Sequence, residues 1–158
     1  MNLPVQHRPI LLALALAALC SAALFVRQAE GSPAPRTLPD EALSQAMHQM
    51  EQALEALGKG VKADNRDAQL AELAKFQSAV MTAKEKTPES AEKVEEKKRA
   101  AFVADYRKTL VEALQFSCAA ETAILDGKFK EADTLVRNKL GGLKSTGHGK
   151  FKQDRGGK

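Results

Sequence analysis

An all-α fold, an up-down-up-down antiparallel four-helix bundle, is the class that the sequence predicts, and three observations predict it. Aromatic residues are 4% of the 158, with one Tyr and no Trp, which argues against an all-β sandwich or barrel. No glycine falls between Gly60 and Gly127, and Pro88 is the only proline beyond position 39, so uninterrupted intervals exist for long helices. Within those intervals apolar residues recur at three- and four-residue steps, the period of a helix with one buried face.

Residues 1–31 read as a signal peptide. Arg8 gives the positive lead, Ile10 to Val26 runs uncharged and apolar, and Ala29-Glu30-Gly31 offers a cleavage site before Ser32. The competing reading is an uncleaved anchor, since the run approaches the length that spans a bilayer. A lipoprotein reading of Cys20 is opposed by the bulky Leu19 before it. Cleavage is expected, with export to the periplasm and no membrane insertion afterwards. Cys118 is then the one remaining thiol, which excludes an internal disulfide. It reads as a small buried side chain, with an intermolecular bridge as the alternative, and a monomer is expected.

Residues 32–38 form a flexible leader, and residues 39–152 form the bundle. Thr37 is the expected N-cap of helix one and Pro39 fits its first turn. Leu43, Ala46, Met47, Met50, Ala53, Leu54 and Leu57 make one stripe that ends at Gly58 and Gly60. Helix two starts near Asp64 or Asn65 and carries Leu70, Leu73, Phe76 and Val80, with Met81 as a further candidate and Pro88 closing it. The Lys- and Glu-dense stretch 84–98 reads as a solvated connection or exposed first turns, with no binding role. Helix three runs from about Lys97 to Asp126, with Phe102, Val103, Tyr106, Leu110, Ala113, Leu114, Ser117, Glu121 and Ile124 on one face. A tight turn at Gly127 leads into helix four near Phe129, whose stripe is Ala132, Leu135, Val136, Leu140 and Leu143. Gly141, Gly142, Gly147 and Gly149 weaken this helix, by roughly 1 kcal/mol each relative to Ala, and residues 153–158 are expected to be a disordered tail. Short connections make neighbouring helices antiparallel.

The charge balance is 24 basic against 20 acidic side chains, a net +4, with the signs interspersed; no basic stripe points to nucleic acid. Beyond the leader only His48 and His148 remain, and neither belongs to a Ser- or Cys-based constellation, so no enzymatic activity is expected. There is no phosphate-cradling glycine loop, no paired Cys-x-x-Cys and no Glu-x-x-His. A metal-responsive role for His48, His148 and scattered carboxylates would need ligands closer together than these.

Thioether and imidazole are the remaining donors. Met47 falls mid-arc on helix one, where core filling is the plain explanation, while His48 points to solvent. At roughly 100° per residue, His148 lies about 110° from the centre of the helix-four stripe, an edge position that on spacing alone favours a surface histidine. Its flanking glycines read either as fraying or as room for a flat ligand near the backbone. Helix one begins and helix four ends at the same end of such a bundle. Met47 and His148 can therefore face each other, and a sulfur and an imidazole in that relation can form the axial pair of a haem iron.

The chain resembles the cytochrome b562 family, exported four-helix haem proteins. The matching pieces are Leu43-x-x-x-Met47-x-x-Met50-x-x-x-Leu54, the Asp126-Gly127-Lys128-x-x-Glu131-Ala132 turn, and Gly147-His148-Gly149-Lys150-Phe151. Order and spacing carry the likeness over about residues 40–152. The resemblance implies non-covalent haem b with Met47 and His148 as axial ligands, and Phe102 and Tyr106 of helix three lining the pocket. It implies one-electron transfer with redox partner proteins that the sequence does not identify. The neighbouring cytochrome c′ type needs Cys-x-x-Cys-His, whereas Lys144-Ser145-Thr146-Gly147 precedes His148, which excludes covalent attachment there. A haem-free exported bundle with a binding or stress-related role is the alternative that the same helices allow.

Overall fold

A computed structural model describes residues 40–151; the leader, Thr37, Pro39 and the tail lie outside them. Helix one (Glu41–Gly58), helix two (Arg66–Lys84) and helix three (Glu96–Leu125) are α-helical. Helix four is continuous but composite: α over Phe129–Thr134, π over Leu135–Leu140, and α again over Gly141–Phe151. No strand occurs among the described residues.

Helix one is capped by Asp40, not by Thr37. Asp40 holds an extended backbone, and its carboxylate accepts from the N–H of Leu43 at 3.2 Å, satisfying one of the free amides of the first turn. The Lys86 ammonium, 3.1 Å away, and that amide together lower the Asp40 pKa from its ordinary value. At the far end of helix one, Gly60 takes φ +110°, a conformation in which a side chain would be strained.

Paired contacts establish the antiparallel order. Between helices two and three, Gln77 reaches Glu121 while Ala83 receives the Tyr106 hydroxyl. Between three and four, Phe116 lies beneath Lys139 while Asp105 meets Lys150. Between one and four, the amide of Val61 donates to Asp133 at 3.0 Å while Glu51 meets Lys144 at 2.8 Å. In each pair, moving up one helix moves down the other. The core that results is Leu57, Leu73, Phe76, Val80, Tyr106, Ile124 and Leu140, with alanines at the closest approaches.

Two expectations need correction. Cys118 is exposed, because its neighbour Ser117 occupies the buried position of that turn and the next residue is rotated about 100° away. The stretch after helix two is more than a solvated connection. Residues Glu89–Lys93 form a 3-10 turn that buries Pro88 and Ala91 against the bundle, and Ser90 donates to the carbonyl of Phe151 at 2.8 Å. Helix four is helical to Phe151, in keeping with the predicted bundle bounds, and the buried Phe151 ring meets Phe102 and Tyr106 edge-on at 5.3 and 5.5 Å.

Candidate functional site

The two ends of the bundle differ. Where helix one passes into helix two and three into four, Asp133 binds the Val61 amide and Arg137, and Arg66 reaches the carbonyl of Leu125. At the other end the first half of helix one stands apart from the last turns of helix four, and a cleft of about 650 Å³ opens between them. That volume lies within the range of about 300–1,000 Å³ that holds small organic ligands.

Met47 and His148 both line this cleft, from helix one and helix four respectively. Their levels along the bundle follow from an ion pair. Glu51 lies one turn after Met47 and Lys144 one turn before His148, and the two join across the helices at 2.8 Å. Because the helices run in opposite directions, Met47 and His148 sit at matching heights, one turn nearer the open end. Met47 is 37% exposed although it belongs to the apolar stripe, because the cleft borders it. His48 is exposed, as its position one step off the stripe predicts, yet it too borders the cleft.

The inner wall is apolar: Leu43, Leu54, Phe76 and Leu110 contribute to it. Tyr106 lines it as well, with its hydroxyl donating to the Ala83 carbonyl at 3.1 Å, so the ring is what the cleft meets. Phe102 is not among the lining residues. Its ring packs on Phe151, and Phe151 is the one that borders the cleft. Pro88, Glu89 and Ser90 complete one side. These were missed because a Lys- and Glu-rich stretch reads as solvated, and Pro88, Ala91 and Val94 are its only apolar residues. Phe151 was not assigned to the site either, although its place three residues after His148, adjacent on the same helical face, was the signal that could have found it.

The arrangement suits a flat apolar group with a coordinating centre. A thioether and an imidazole are the donor set of one class of low-spin haem iron, and no charge is buried in supplying them. Among the described residues no buried side-chain polar atom lacks a partner, so the walls demand no polar guest. Gly147 borders the cleft, and a Cβ built there would meet no protein atom within 4 Å, so packing against the rest of the protein does not require glycine at that position. No group of three His, Cys, Asp or Glu side chains able to hold a metal ion occurs among the described residues. Nor is any described helix long and apolar enough to cross a membrane.

Comparison with curated proteins finds no match, and comparison with solved structures finds none either. A family model does match: the one described as Cytochrome b562, over residues 42–152, from the first turn of helix one to the end of helix four. With the four-helix order and a match across most of the sequence, the chain belongs to the cytochrome b562 family.

Proposed function

We propose that this chain is an exported, periplasmic b-type haem protein that carries single electrons, with the iron held non-covalently between the thioether of Met47 and the imidazole of His148. The observation that carries this reading is the presence of both side chains on one cleft, at matching heights across helices one and four. Membership of a family of haem-binding helical bundles supports it, and the apolar run in the leader supports export.

Bound in the cleft, haem supplies a reversible one-electron couple, whose potential a thioether ligand raises. The chain's own residues supply the surroundings. Met47 and His148 would hold the haem iron through a thioether and an imidazole, and with both donors committed to it neither is left to act on a substrate, which suits a carrier and not a catalyst. Leu54, Phe76 and Leu110 exclude water from the inner wall. Tyr106 keeps its proton on Oη, committed to the Ala83 carbonyl. The electron donor and acceptor would be other proteins, without nucleic acid.

The test is a spectrum of the purified chain loaded with haem, beside Met47→Ala, His148→Ala and His48→Ala. A low-spin spectrum is expected in the parent and in His48→Ala, and its loss in the other two. A spectrum unchanged in both Met47→Ala and His148→Ala would defeat the ligand assignment. A parent chain that takes up no haem at micromolar concentration would instead favour a haem-free bundle.

A further inference from the structure

Helix four contains a π turn at Leu135–Leu140, where the N–H of Gly141 reaches back five residues to the carbonyl of Val136. Such turns are a widening of an α-helix by one residue and recur at functional sites. Here the widening changes which residues face inward afterwards. On an uninterrupted α-helix, at roughly 100° per residue, Thr146 would lie about 40° from Ala132, Phe151 about 100° and His148 about 160°. Two positions contradict that wheel: Thr146 is exposed, whereas Phe151 is buried like Ala132; His148 is itself exposed but borders the cleft. If the π turn absorbs one residue, Phe151 comes into line with Ala132, Thr146 turns outward, and His148 lies about 60° from the centre of the face.

Ion pairs identify the flanks of that face. Lys144 reaches Glu51 on helix one and Lys150 reaches Asp105 on helix three. His148 is one turn beyond Lys144, so it lies on the flank toward helix one. The geometry points to the π turn as the device that positions His148: residues 135–140 hold one residue more than an α-helix needs, and absorbing it turns His148 from the outer side of helix four to the cleft, opposite Met47. The functional meaning of this rests on the ligand assignment above, but the rotation itself does not.

The test needs no haem. In the full chain carrying Cys20→Ser and Cys118→Ser, the pair Met47→Cys and His148→Cys is treated with a short bismaleimide, and cross-linking is scored by mass. The parent is expected to cross-link. Removal of the exposed Asn138 erases the π turn, leaves the downstream face where it was, and keeps the cross-link. Insertion of one alanine between Ser145 and Thr146 turns the last residues outward by about 100° and abolishes it. Loss of cross-linking on removal of Asn138, failure of that variant to fold as followed by circular dichroism, or retention of the cross-link after the insertion would each overturn the inference. Correct cross-linking alongside a haem spectrum indifferent to His148→Ala would leave the register standing and sink the ligand reading alone.

Discussion

Tyr106 shows what burial does to one side chain. Its ring is 1% exposed, its hydroxyl donates to the Ala83 carbonyl, and desolvation pushes its pKa up to about 12. The fold favours the neutral phenol, whose pKa in an unfolded chain is about 10. Tyr106 therefore contributes stability that is complete below about pH 10 and is lost as pH rises towards 12. It is the only tyrosine of the chain and there is no Trp, so tyrosinate absorbance reports it alone; a transition at the pH of a free phenol in the folded protein would contradict the burial. Tyr106→Phe is expected to lower the unfolding free energy by about 0.5–1.5 kcal/mol, read from urea titration at neutral pH. The burial of Tyr106 was legible from the helix-three stripe, whereas spacing alone left Met47 as core filling and His148 as a surface residue; that both border one cleft shows only in the structure. Phe102 was assigned a place at the pocket by resemblance to the family, whereas its ring packs on Phe151 and Phe151 borders the cleft.

Element boundaries were legible to within a few residues wherever a glycine or a break in the apolar stripe marked them. The cap of helix one was displaced from Thr37 to Asp40, the stronger capping residue type, whose carboxylate accepts from the Leu43 amide. Asp40 also makes an acid-sensitive end. The Lys86 ammonium and the Leu43 amide lower its pKa, so its contribution is present above the ordinary carboxylate range and is lost as pH falls through the lowered value. Asp40→Asn keeps an acceptor for Leu43 and removes the charge. It is expected to flatten the acid side of a plot of urea midpoint against pH, while Asp40→Ala lowers the midpoint at neutral pH as well. An acid limb with the same slope in Asp40→Asn would remove Asp40 from the account. The π turn was not legible as such: an Ala132-Val136-Leu140 run at strict four-residue steps drifts round an α-helix, and the sequence does not show where the helix widens to correct it.

For the molecule as a whole, the topology was legible because connections this short leave each helix little choice but to double back on the previous one. Stability follows the interior and not the surface charges, as exposed ion pairs such as Lys75–Glu72 and Lys97–Glu95 contribute about 0–1 kcal/mol each. Leu73→Ala, at a fully buried position, is expected to cost about 2–5 kcal/mol, whereas Met81→Ala, 42% exposed, should stay within about 0.5 kcal/mol of the parent. Equal losses from the two in denaturant titration would refute this packing.

The Asp133 anchor to Val61 and Arg137 fastens one end of the bundle, while the other gapes between Met47 and His148. A structure built like a clothes-peg can admit its guest by spreading the jaws while the spring stays shut. Amide protons of residues 141–151 should then exchange with solvent faster than those of residues 129–134 when the jaws are empty, and slow once they close on something.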